Sequence, residues 1–119
     1  MQEHFRLTPQ RVRDLVPSGS VGFYRLGIVK NGQFWPEYCG RSDNGLQSRL
    51  LQHARNRKQT HFVPVVTETI RRAYWLECQE FHLHGEKLEN EIHPASPNGI
   101  AYECQYCGLK DEVAQIAQI

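Results

Sequence analysis

Glu77 is the residue whose position asks most of its surroundings. Across Ala73 to Phe81, AYWLECQEF, a helical turn of about 100° per residue lines up Ile70, Ala73, Tyr74, Cys78 and Phe81 as one apolar stripe. Glu77 falls inside that stripe, about 20° from Ile70. An ionised carboxylate buried there without a partner is costly, so the position demands a cation, hydrogen-bond donors or an opening to solvent. Arg49 and His53 make a second candidate pair. Their spacing stands one above the other on a helix face, at the margin of an apolar stripe, where they read either as a surface pair or as a histidine with one core partner. A third candidate is Cys104-x-x-Cys107, whose spacing lets two thiolates chelate one zinc ion. His93, with His82 or His84, is placed to complete four ligands, and two reduced thiols are the alternative. Between Arg41 and Lys58 the chain also carries Arg49, Arg55 and Arg57 against one acid, Asp43. Phosphate contact and simple complementation of a helix C-terminus are both open to Arg55, Arg57 and Lys58.

The elements that must position these residues follow from local signals. Leu7 to Leu15 forms a short helix, with Thr8 as N-cap and Pro9 at the first helical position. Val21 to Val29, VGFYRLGIV, reads as a strand; it runs into Asn31-Gly32, a hairpin turn, and returns antiparallel through Gln33 to Gly40. Pro36 cannot donate to a ladder, so this second strand is an edge or carries a bulge. A perfect two-residue turn sets Tyr38 opposite Arg25 and leaves Tyr24 on the other face. One bulged residue at Pro36 shifts the register and brings both phenols to one face. A helix follows from Asn44 to Arg57, capped by Ser42 or Asp43, with Leu46, Leu50 and Ala54 as its buried stripe. Phe62 to Val66 is a third strand, edged or broken by Pro64. Thr67 then caps the helix that carries Glu77 and ends near Gly85. A turn-rich stretch and a short closing helix, Asp111 to Ile119, complete the order. The expected architecture is α+β: a small, mainly antiparallel three-stranded sheet flanked by helices, with an irregular C-terminal tail that zinc stabilises if the cysteines are ligands.

The 119 residues suffice for one domain, which divides into an N-terminal helical arm (1–20), a core (21–98) and the Cys-x-x-Cys tail (99–119). At 39% hydrophobic and 23% charged the composition is that of an ordinary globular chain. The net charge of +1 advertises no polyanion partner globally, which throws weight on the local basic segment. No apolar run approaches the ~18 residues of a membrane span, and the start lacks the apolar core of a signal peptide. A cytoplasmic location without a membrane partner is the expectation. In that setting the cysteines read as thiols or metal ligands, with Cys39 and Cys78 as small core residues.

One combination is more specific than its parts. Gly22-Phe23-Tyr24, Tyr38-Cys39-Gly40, Arg41-Ser42, the helix with Arg49 and His53, and a later helix with Leu76-Glu77 resemble, in order, the GIY-YIG nuclease family. GFY stands where the family has GIY and YCG where it has YIG. The resemblance spans Val21 to Asn98 and departs at Phe23 and Cys39, which replace the motif isoleucines, and by one extra residue between Gly40 and Arg49.

The resemblance implies phosphodiester hydrolysis in nucleic acid, with DNA as the expected substrate, using a single Mg²⁺ or Mn²⁺. Carried over by position, Glu77 holds the metal and Arg49 neutralises the scissile phosphate. Tyr24, Tyr38 and His53 orient or deprotonate the attacking water, with His53 and the phenols competing as base. Asn90 takes the place of the family asparagine, with Asn98 the alternative, and Glu89 is a rival to Glu77. Arg41, Arg55, Arg57 and Lys58 are the expected backbone contacts. The chemistry suits these types: a hard cation takes oxygen ligands and an arginine fork matches a phosphate. A phenol with a reference pKa near 10 is a poor base at neutral pH unless its surroundings lower it. Two other classes remain: a non-catalytic nucleic-acid-binding module of the same fold, and a zinc-organised interaction domain.

Overall fold

The Asn31-Gly32 turn organises the sheet. Both residues have positive φ, 54° at Asn31 and 75° at Gly32, the pair of left-handed conformations that matches the twist of a two-residue hairpin. In this computed structural model, which describes residues 3–56, 58–84, 88–90, 94–95 and 104, the turn joins β2 (Val21–Lys30) to β3 (Gln33–Ser42). Near the turn the register is the simple one, Lys30 opposite Gln33. It then slips, so that Gly27 pairs with Pro36 and Leu26 with Tyr38, leaving Glu37 as the extra residue. The bulge expected around Pro36 is therefore real, and it puts Tyr24 and Tyr38 on one face of the sheet.

The remaining elements are β1 (Phe5–Arg6), α1 (Pro9–Leu15), α2 (Leu46–Asn56), β4 (His61–Thr67) and α3 (Ile70–His84). The sheet has four strands in the order β1-β4-β2-β3 rather than the three expected. The added strand is two residues long, pairing Phe5 with Phe62 and Arg6 with His61, too short to leave a periodic signal. It also explains Pro64. β1 covers only the start of β4, so Pro64 lies where the outer side of β4 is open and its missing N–H disrupts no ladder.

Alternation along β2 sends Tyr24 and Leu26 to one face, where they join Val12 and Val16 of the α1 region, Leu46, Leu50 and Ala54 of α2, and Phe62 in one buried cluster. Phe23 and Cys39 face the other way, with Leu88, Val65 and Leu76. The layers are thus α1 and α2 on one side, α3 on the other. Thr8 caps α1 as its type predicts, its hydroxyl accepting from Arg11 N–H at 3.2 Å. The cap of α3 lies two residues beyond Thr67: Thr69 accepts from Arg72 N–H at 3.1 Å, while the Thr67 hydroxyl donates to the Thr69 carbonyl. No helix among the described residues is long and apolar enough to cross a membrane.

Candidate active site

Tyr24, Tyr38 and His53 form a triangle of rings. The bulged register places the two phenols on the α2 face, with ring centroids 6.4 Å apart; His53 stands 5.3 Å from Tyr24 and 5.7 Å from Tyr38. Tyr24 Oη and His53 Nε2 are hydrogen-bonded at 2.9 Å. Gly40 makes room for this contact: a Cβ there would lie 2.5 Å from the Tyr24 hydroxyl. The glycine of the YCG triplet is therefore a space requirement of the first tyrosine.

Burial separates the three groups chemically. Tyr24 is only 2% exposed, and its phenol pKa is raised far above the ordinary value, chiefly by burial and then by the charges around it, with Arg49 opposing. Tyr38, half-buried, is raised in the same direction by burial and by the Glu77 charge; Arg49 and a hydrogen bond from Tyr24 oppose the shift. These surroundings by themselves give neither phenol the lowered pKa that a base at neutral pH needs. His53 moves the other way, lowered by burial and by the neighbouring Arg49 charge, so its ring is neutral at pH 7. Arg49 itself projects from an exposed position on α2, one turn before His53.

Glu77 comes from α3 on the opposite layer. Its charge nevertheless contributes to the raised pKa of both phenols, behind burial in each case. The cation anticipated for this carboxylate is Arg41, whose Nη1 donates to Glu77 Oε1 at 2.7 Å, with side chains 11% and 13% exposed. Arg41 also donates from Nε to Asp43 at 2.8 Å and from Nη2 to the Ala95 carbonyl, and its guanidinium lies 5.0 Å from the Tyr74 ring centroid. Burial alone would lower the Arg41 pKa; the bonds to Asp43 and Glu77 more than reverse that, and the guanidinium is firmly charged. Arg41 is thus turned inward, away from the exposed backbone-contact role expected for it.

Asn90 binds the edge of the sheet. The Cys39 N–H donates to its Oδ1 at 3.0 Å and its Nδ2 donates to the Cys39 carbonyl at 2.8 Å, so one amide pairs both outward groups of an edge-strand peptide. Glu89, the rival carboxylate, forms an exposed ion pair with Lys58 at 2.8 Å. Arg55 is exposed on the last turn of α2; Arg57, His93, Asn98 and Cys107 lie outside the described residues.

A second ion pair escaped the reading of the sequence. Glu80, 4% exposed, accepts from Arg25 Nη2 at 2.9 Å. It sits one turn beyond Glu77 on the same face of α3, and the only available signal was that spacing.

Cys39 and Cys78 are buried thiols with pKa values pushed up to about 12, in both cases chiefly by burial, and are not poised for reaction. Cys104 Sγ lies 3.4 Å from His82 Nε2. Among the described residues no three His, Cys, Asp or Glu side chains are grouped to hold a metal ion. Of the described carboxylates, Glu77 is the one that the resemblance assigns to a Mg²⁺. That donor fits a hard cation, which takes one or two carboxylates and fills its shell with water and substrate oxygens.

No family model matches the chain, and neither curated proteins nor solved structures provide a match.

Proposed function

We propose that this chain is a GIY-YIG-type endonuclease that hydrolyses phosphodiester bonds in nucleic acid, DNA being the expected substrate. The observation that carries the reading is the hydrogen bond between Tyr24 and a neutral His53, beside Tyr38, under the charges of Arg49 and Glu77. A binding module has no use for a carboxylate near bound phosphates, nor for a neutral imidazole fixed by a buried phenol.

In this reading Arg49 meets the scissile phosphate from its exposed position and neutralises the charge that develops on it. Tyr24 is a positioning residue. Its hydroxyl donates toward Tyr38 and its oxygen accepts from His53 Nε2–H, which leaves the Nδ1 lone pair of His53 to take the proton of the attacking water. Tyr38, more open to solvent than Tyr24, hydrogen-bonds that water. Glu77 would hold a divalent cation, which when bound supplies further neutralisation at the phosphate and acidifies coordinated water. Arg41 fixes the Glu77 carboxylate and tempers its charge while the site is empty of substrate.

The test is cleavage of plasmid, branched and single-stranded DNA, and of RNA, by the purified chain with Mg²⁺ or Mn²⁺. Cleavage that is lost in Arg49→Ala and in Glu77→Ala supports the reading. No cleavage of any substrate above the Glu77→Ala control sinks it.

A structural zinc is favoured separately by the Cys104–His82 contact. For tetrahedral zinc with Zn–S about 2.3 Å and Zn–N about 2.0–2.1 Å, two such ligands stand about 3.5 Å apart, close to the 3.4 Å found here. Cys107 and His93 are the remaining proposed ligands. Metal analysis of untagged protein should give about one equivalent of zinc, falling in Cys104→Ser; a content far below that removes the zinc.

A further inference from the structure

The Arg41 guanidinium is ringed by oxygen acceptors. Nη1 donates to Glu77 Oε1 at 2.7 Å, Nε donates to Asp43 Oδ1 at 2.8 Å, and Nη2 donates to the Ala95 carbonyl. The cation that compensates the α3 carboxylate is thus supplied from β3, and it sits against the group that the nuclease reading gives to a divalent ion. With Arg41 in place, the Glu77 side chain is only 13% exposed. A bound Mg²⁺ keeps several waters and therefore needs an open side to its carboxylate. An ion beside Nη1 would also stand next to a full positive charge in a partly buried setting, where screening is weak. The two cations therefore compete for Glu77. Asp43 makes the exchange easier. It binds Nε, so parting from Glu77 breaks the Nη1 contact and leaves the guanidinium paired with a second carboxylate. Asp43 lies on the loop between β3 and α2 and is the more open of the two acids, 32% exposed.

We propose that Arg41 is a tethered cation that holds Glu77 closed until a divalent ion displaces it, with Asp43 keeping the released guanidinium beside the site. This rests on the assignment of Glu77 to the metal in the nuclease reading. Arg41 then sets the affinity for the ion: a ligand whose binding-competent form is populated to about one-tenth binds about tenfold more weakly. It also sets the class of ion. A monovalent ion brings no more charge than the guanidinium and lacks its charge-assisted hydrogen bonds, so displacement selects for divalent ions.

The experiment measures Mn²⁺ binding to the untagged full chain through the EPR signal of the free ion, for wild type, Arg41→Met, Glu77→Gln and Asp43→Asn, with thermal melts confirming that each is folded. Arg41→Met should bind Mn²⁺ about tenfold more tightly than wild type while losing stability, a combination that a purely structural arginine does not produce. Glu77→Gln should lose the binding. Asp43→Asn should bind more weakly than wild type, because Arg41 then leans on Glu77 alone, and this effect should vanish in the Arg41→Met background. Wild type gives a readout that needs no variant: the ¹⁵N signals of the Arg41 guanidinium should shift as Mg²⁺ saturates the chain. Arg41→Met binding equal to or weaker than wild type, or guanidinium signals unmoved at saturation, overturns the displacement and leaves Glu77 as the metal ligand as long as Glu77→Gln abolishes binding. An Asp43→Asn effect that persists without Arg41 overturns the tether. Binding that is absent in wild type, or indifferent to Glu77→Gln, removes the metal from Glu77 and overturns the proposal together with that part of the nuclease reading.

Discussion

Tyr24 Oη and His53 Nε2 lie 2.9 Å apart although 29 residues separate them in the chain, and Gly40 provides the space for that contact. Because Tyr24 is nearly inaccessible, its proposed role is to hold the His53 ring rather than to touch substrate. Tyr24→Phe keeps the ring and loses only the hydroxyl. It is expected to lower the single-turnover cleavage rate about 10–100-fold, the usual cost of removing an orienting partner. His53→Ala should cost about 10²–10⁴-fold, the usual contribution of a general base. Gly40→Ala, which drives a methyl into the Tyr24 hydroxyl, should resemble Tyr24→Phe. Equal rates for wild type and His53→Ala would remove the histidine from the mechanism.

The pH dependence follows from the direction of the His53 shift. Burial and Arg49 hold its pKa below the ordinary value of 6.5, and a base must be neutral, so the acid limb of the cleavage profile should fall below that value. Protonating His53 in the folded chain is harder than in the unfolded chain. Stability is therefore constant above the unfolded pKa and is lost as pH falls from there through the folded pKa. NMR titration of the His53 ring reads the shift directly, and Arg49→Gln should move it upward. A titration at or above 6.5 in wild type would contradict both statements.

Arg41 and Glu77 are joined at 2.7 Å with both side chains largely buried. Removing either one leaves the other under-compensated, so Arg41→Met and Glu77→Gln should each destabilise by about 1.5–3 kcal/mol in urea unfolding. The double variant should cost less than the sum, with a coupling of about 0.5–3 kcal/mol. Additive costs would show that the pair is energetically idle. A Glu77 needed only for this pair would also leave Glu77→Gln fully active once folded, whereas the nuclease reading expects it to be inactive.

Asn90 closes the outer edge of β3 with two hydrogen bonds to one peptide. Asn90→Ala should cost about 1–3 kcal/mol and expose an edge that invites intermolecular pairing. Its cleavage defect should follow its stability defect, shrinking on cooling. A large loss of cleavage with unchanged stability would give Asn90 a chemical role.

Much of this protein is written locally. Asn31-Gly32 determines the hairpin because few other dipeptides accept two positive φ angles; Thr8-Pro9 starts α1, and the spacing of Leu46, Leu50 and Ala54 sets which side of α2 is buried. The candidate tyrosines, arginine, histidine and glutamate were drawn together by their resemblance to one family's motif order, since residue spacing alone offered only the Arg49-His53 pair and the stripe around Glu77. Partnership was not legible. The edge strand β1 is a two-residue pairing across the length of the fold. The partner of Glu77 is Arg41 because the β3 bulge and the placement of α3 on the far face bring those two together. The Asn90 clamp on Cys39 and the Arg25–Glu80 pair likewise join residues more than 50 positions apart. Local propensity is encoded residue by residue, whereas the choice among several cations for one carboxylate is made by register and layer, which exist only once the chain has folded.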